Sequence, residues 1–288
     1  MGGLLTLLLG GCGLLRPPSV EESPVEATPA ASTTSSSGAD PAAASDDASP
    51  TDGQGSDQAA PSAEVTSRTL QALLSPTFRT AKGSAQRDWS AGTGFLLRWD
   101  DGRTLLVTAF HLFGPDGGVQ PQMTMPQMLR TVTGVDAQLW TSGQQVRGAR
   151  ALNIADADAD HAGGDYSHDV AAFGVADPGT AGVLRLATRP PAVGDRVFVP
   201  WNRDGGGGRL VGGTVRYAKD RQLFFAEDDP TIVMNGTSGA PILDVNGDVV
   251  GINLAGAEQG GISYSGGGTL ANLRASISEG IAAPAGTP

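Results

Sequence analysis

The sequence predicts an all-β fold with a single helix at its C-terminal end. Three observations carry this reading. From about residue 67 the chain becomes a series of short apolar runs separated by glycine, proline and aspartate, the texture of a barrel or a sandwich. Helical spacing appears only near the two ends of that region. Strands and helices never alternate in the βαβ sense, which excludes a parallel α/β sheet.

Taken in order, Leu70, Leu73 and Leu74 predict a short helix ahead of the first strand. Strands are expected over 93–99 (TGFLLRW), 104–109 (TLLVTA), 169–175 (DVAAFGV), 195–200 (DRVFVP) and 209–217 (RLVGGTVRY). Four more follow over 222–226 (QLFFA), 231–234 (TIVM), 240–245 (APILDV) and 248–254 (DVVGINL). DDG at 100–102 and VNGD at 245–248 read as hairpin turns, the second with the Asn-Gly pair that suits a type I′ turn. Leu270, Leu273, Ile277 and Ile281 share one face of the final helix.

The ends differ from this body. Between Pro17 and Ser67 there is no aromatic residue, lysine or arginine, and nine acids carry most of the chain's net charge of −11. The remainder holds 19 basic and 21 acidic residues, so the acidity describes a solvated segment and argues against a nucleic-acid partner for the folded part. Such a composition buries too little apolar surface to offset the entropy of ordering it. Residues 13–66 are therefore expected to form a disordered tether. As a coil, its 50 residues from 17 to 66 would span roughly 35–42 Å. Residues 1–12, MGGLLTLLLGGC, form the apolar core of an export signal. Their ending, Leu9-Gly10-Gly11-Cys12, resembles the bacterial lipoprotein lipobox, which implies acylation of Cys12 and a lipid-anchored protein of the cell envelope. A plain secretory signal and a myristoylation site on MGGLLT are the alternatives. Cys12 is the only cysteine, so no intramolecular disulfide can form.

The chain has three histidines, and one of them ends an apolar strand: His111 in LLVTAFHLF. Asp169 opens the strand DVAAFGV, and Ser238 sits in the turn-forming stretch NGTSGAP. The surrounding words resemble the trypsin/chymotrypsin-like serine peptidases, above all their disulfide-free bacterial branch. GTGFLL is similar to that family's opening strand, LVTAFH to its histidine strand, HDVAAF to its aspartate strand and NGTSGAP to its nucleophile loop. VVGINLAG is similar to the strand that follows. Phe110 and Ala240 depart from the pattern, where the family carries a small residue and a second glycine. The resemblance implies two antiparallel six-stranded-type β-barrels over residues 67–288, the first to about 185 and the second from about 186. It also implies a nucleophile at Ser238, a general acid/base at His111, an orienting carboxylate at Asp169, and an oxyanion hole from the N–H groups of Gly236 and Ser238.

The chemistry explains these residue types. A serine hydroxyl is a weak nucleophile unless a base takes its proton. Imidazole suits that role because it titrates near neutral pH, and a buried carboxylate fixes its tautomer. Asp165 is a rival orienter, but Asp169 begins an apolar strand where a carboxylate can be buried. By the resemblance, Ile232 lies at the base of the pocket for the P1 residue, the side chain before the scissile bond. An apolar residue there implies a non-basic P1. Leu254, Ala255 and Gly256 map onto the strand that pairs with substrate backbone. The implied partner is a protein or peptide substrate, with no metal and no cofactor.

Other features read more plainly. Asp156, Asp158 and Asp160 alternate in DADADH (156–161), but the residues where a calcium loop needs glycine and an acid are His161 and Ser167, so this is a solvated loop. His161 and His168 lack the spacing of a zinc site. GGGG at 205–208 is a hairpin tip, and Met123, Met125 and Met128 are core or loop filler. The 32 residues after Gly256 are too few for an appended peptide-binding domain. Two other functions compete: a catalytically silent module that binds peptides or envelope proteins on the same fold, and a serine esterase. The α/β-hydrolase order Ser, Asp, His is the reverse of the order here, which rejects the esterase.

Overall fold

The computed structural model describes residues 60–161, 165–202, 208–219 and 221–283. The leader and almost all of the tether lie outside them, as do 205–207 of the glycine run. The folded body begins before the expected boundary at 67. Helix α1 spans Ala63–Leu70, and the Ser62 hydroxyl caps it by accepting from the Val65 N–H at 3.2 Å. Its end corrects the predicted leucine helix. Leu73 and Leu74 are fully buried in strand β1 (Leu73–Thr80), because Ala72 already turns the chain into the sheet.

The first barrel consists of β1, β3 (Gly94–Arg98), β4 (Thr104–Thr108), β5 (Val132–Leu139), β6 (Gln145–Ala151) and β7 (Ala171–Val175). The order β1-β5-β6-β7-β4-β3 closes where Leu73 and Leu74 pair with Phe95 and Gly94. Short β2 (Trp89–Ser90) flanks β1, and β8 (Leu184–Arg185) lies parallel to β3. Helix α2 (Met125–Thr131) starts at a capping box between Thr124 and Gln127. Inside, Phe78, Phe113 and Phe173 pack at ring separations of 4.6 to 6.3 Å, a tilted aromatic core.

Leu186 bridges to Val249 and leads into the second barrel. Its strands are β9 (Arg196–Trp201), β10 (Arg209–Lys219), β11 (Gln222–Glu227), β12 (Pro241–Leu243), β13 (Val249–Gln259) and β14 (Ile262–Thr269), closed in the order β10-β11-β14-β13-β12-β9. Helix α3 (Leu270–Ala282) follows, with Leu270, Leu273 and Ile277 buried as their spacing requires. The fold is thus two closed six-stranded antiparallel barrels and a C-terminal helix. No helix among the described residues is long and apolar enough to cross a membrane.

Two local expectations are corrected. Residues 231–234 are not a strand: Asp229 draws in the Thr231 N–H and hydroxyl and holds the segment as a turn. The turn at 245–248 is a three-residue loop rather than type I′. Asp244 N–H donates to the Asp248 carbonyl, and Gly247 (φ +79°) donates to the Asp244 carbonyl. The hairpin at 100–102 has the same form, with Gly102 at φ +88°. Met123, Met125 and Met128 are buried in the first barrel's core, as expected of filler.

Candidate active site

His111 lies in a 3₁₀ turn, Phe110–Phe113, that begins two residues after β4 ends. Phe110, where a small residue was the pattern, is buried against Phe113 at a ring separation of 5.9 Å. Its bulk faces the core and leaves the imidazole's position to the turn. Asp169 lies two residues before β7, and β7 pairs with β4. The pairing therefore places the two side chains side by side. Asp169 Oδ2 is 2.6 Å from His111 Nδ1, and Asp169 Oδ1 accepts the His111 backbone N–H at 2.8 Å.

Asp169 is completely buried. Burial opposes its ionisation, yet the charge and hydrogen bond of His111, with the hydrogen bond of His161, hold its pKa well below the usual carboxylate range. An ionised carboxylate only accepts, so Nδ1 of His111 carries its proton and Nε2 keeps the lone pair that a base needs. Burial alone would depress the imidazole. The Asp169 charge and hydrogen bond, with a contribution from Asp116, outweigh it and raise the His111 pKa above its ordinary 6.5. Asp165 does not compete for the imidazole: it accepts from Ser167 and pairs with Arg221 at 2.6 Å.

Ser238 comes from the second barrel. Its carbonyl accepts the Thr93 N–H at 2.8 Å, across the seam from the residue just before β3. Gly239 (φ +84°) follows it, and an added Cβ would press into the Thr93 carbonyl and lie 2.8 Å from the Ala109 nitrogen, two residues from His111. The structure therefore brings the three predicted groups to one seam. Ser238 is half-buried and is not hydrogen-bonded to His111. Free-enzyme geometry of this kind commonly tightens when substrate binds.

The loop is pinned by residues that sequence reading missed. The Thr93 hydroxyl donates to the Gly236 carbonyl at 2.8 Å, the Thr237 hydroxyl to the Met234 carbonyl at 2.6 Å, and Asn253 Nδ2 to the Thr237 hydroxyl at 2.9 Å. Among the described residues nothing accepts from the N–H groups of Gly236 or Ser238. Beyond Ile252, where β12 stops pairing with β13, Asn253 bonds Ala240 and Gly239. Ala255 and Gly256 then pair with Gly266 and Ser265 of β14, with Leu254 at the irregularity before them, and among the described residues no strand pairs with their other edge. Ile232 is half-buried in the turn before the loop.

His161 is the second group that sequence reading missed. Its Nε2 lies 2.8 Å from the same Asp169 Oδ2 that His111 uses. Ala157 and Ala159 pack inward while Asp156, Asp158 and Asp160 stay exposed, so the acidic loop is solvated as expected. Asp158 and Asp160 also wall a cavity of about 330 Å³ that reaches His111, together with Pro115, Asp116 and Gln122. Among the described residues, His111, His161 and Asp169 are the one cluster with the donor set for a metal ion, and mutual hydrogen bonds occupy those donors.

Two closed six-stranded barrels, with a buried histidine–carboxylate pair on the first and the Ser238 loop of the second bonded to Thr93 at the seam, are the architecture of the serine-peptidase class of hydrolases. Residues 92–252, more than half of the chain, match the trypsin-like peptidase domain, and the chain belongs to that family. The fold is also similar to solved structures of Rv3671c from M. tuberculosis. A serine-to-alanine mutant of the H37Rv protein, in its inactive form, is 18% identical with a TM-score of 0.49, covering 79% of this chain and 98% of that one. The active form of the Rv3671c protease is 17% identical with a TM-score of 0.48, covering 80% of this chain and 91% of that one. No curated protein matches the chain.

Proposed function

We propose that the protein is a serine endopeptidase that cleaves peptide bonds through an acyl-enzyme on Ser238. The observation that carries this is the His111–Asp169 pair, proton on Nδ1 and lone pair on Nε2, at the seam where Ser238 lies. His111 takes the hydroxyl proton as Ser238 Oγ attacks the substrate carbonyl, then gives it to the leaving amine; water reverses the sequence to release the acid. Asp169 holds the tautomer and stabilises the imidazolium. The free N–H groups of Gly236 and Ser238 receive the developing oxyanion. Substrate backbone adds to the open edge at Leu254–Gly256 as a further strand, and Ile232 favours a non-basic P1, which a P1-varied peptide library tests.

A fluorophosphonate probe separates this reading from a silent binding module. Labelling of the folded protein that disappears in Ser238→Ala supports the peptidase, and folded protein that takes no label supports the binder. We further propose export and lipid anchoring at Cys12, with a tether holding the barrels off the membrane. The support is the apolar leader ending in Gly10-Gly11-Cys12. Incorporation of a fatty-acid probe that is lost in Cys12→Ser is the expected result, and an unlabelled mature protein would remove the anchor.

A further inference from the structure

Asp169 can orient His111 only if something other than His111 holds Asp169. Two of the three N–H groups that it accepts belong to His111 itself, the ring Nδ1 and the backbone amide. Among the described residues the third, His161 Nε2, is the only one from elsewhere. The carboxylate is ionised and accepts only, so His161 turns an N–H toward it. The ring is itself fixed. It packs against Tyr166 at 4.6 Å between ring centres, tilted by 39°, and meets His111 edge-on at 5.9 Å and 88°. Tyr166 is held in turn against Phe224 of the second barrel at 5.7 Å. A chain of contacts thus runs from the second barrel through Tyr166 and His161 to the carboxylate.

We infer that His161 is a positioning residue for the hydrolytic reaction: its Nε2–H fixes the Asp169 carboxylate from outside the His111 contact and withdraws part of the charge that Oδ2 offers to the imidazole. The inference rests on the peptidase reading above. It has two separable effects. Removing the N–H frees the carboxylate to rotate, which lowers turnover. It also makes Oδ2 a stronger acceptor, which raises the basicity of His111.

The test compares His161→Phe, which keeps a ring packed against Tyr166 without an N–H, with His161→Gln, whose amide can donate again. His161→Phe is expected to lower kcat by about 10- to 100-fold with KM unchanged, the scale of one hydrogen bond to a charged group. The acid limb of its kcat/KM profile should move up by about 0.5–1 pH unit. His161→Gln is expected to recover most of both effects. The other titratable groups around the two imidazoles are Asp116, Asp158, Asp160 and Tyr166. Both variants leave these in place, and Tyr166 is pushed up to about 12 by burial and by the Asp169 charge, so it stays neutral.

Unchanged kcat and acid limb in His161→Phe would overturn the inference, as would equal damage in both variants. Should the wild type neither hydrolyse peptides nor take the fluorophosphonate, the peptidase reading falls. An NMR titration of the His111 ring then decides the positioning role alone: an upward shift in His161→Phe sustains it, and no shift ends it. If His161→Phe does not fold, the same titration on His161→Gln and the wild type decides. Matching His111 titrations with a bonded, slowly exchanging His161 Nε2–H support the role. An unbonded, fast-exchanging proton there overturns it.

Discussion

On the first-barrel side of the seam, Asp169 is completely buried and receives three N–H groups; on the second-barrel side, Ser238 is half-buried in a loop shaped by two left-handed glycines. One half of the site is held by charge in a dry interior, the other by backbone conformation at the surface. The contrast teaches where each half is fragile. Charge complementarity fails when a proton or a partner is removed. A turn fails when a side chain is forced into it.

The largest effect expected from this contrast is on the buried side. Asp169→Asn keeps the shape but, with one acceptor oxygen in place of two, cannot accept from both imidazoles and from the His111 amide together, and turnover should fall by about 10⁴ while the fold survives. Steady-state kinetics with thermal unfolding checks both halves of that statement. The two glycines sharpen the other side. Gly239→Ala combines a φ of +84° with a clash against Thr93 and should cost about 3 kcal/mol or more of stability. Gly236→Ala has a φ of +81° but meets nothing within 4 Å, so only the strain of about 1–2 kcal/mol remains. Denaturant unfolding of the pair reads that difference, and equal losses would show that the seam contact at Gly239 is unimportant.

The smallest effect is the pH dependence. The pKa of His111 is raised above 6.5, and the base must be unprotonated, so kcat/KM should reach half of its plateau above pH 6.5. The pKa of Asp169 is depressed, so its contribution to stability is complete above its ordinary 3.8 and is lost as pH falls from there through the folded value. A pH–rate profile and an acid-unfolding curve measure the two limbs.

Much of this was legible in the sequence. The strands around His111, Asp169 and Ser238 are short, apolar and bounded by turn residues, so periodicity found them. β5 and β6 were missed because polar residues alternate on their open faces, as in Val132–Leu139. β14 was missed because its Gly266, Gly267 and Gly268 read as loop, although an added Cβ at each would meet a neighbouring strand at 3.2 Å or less. Leu73 and Leu74 kept helical spacing by coincidence and were claimed by the sheet. The role of His161 was hard to read: it ends an acidic repeat eight residues before Asp169, and only the three-dimensional path of that loop turns it inward. The signal available was the alternating alanines, which packed one side of the loop onto the protein.

The terminal helices carry a last consequence. Helix α1 precedes the first barrel's opening strand but rests on the second barrel, where Arg68 donates to the Asn246 carbonyl at 2.8 Å and Val65 lies against Gly247. Helix α3 leaves the second barrel and lies across the first, with Arg274 on Asp100, Ser276 on the Ser167 carbonyl and Glu279 on the Ala155 amide. Each lobe is thereby clasped by an arm of the other. Prising them apart would strip both arms at once, so the two lobes separate only by losing the contacts of both helices together.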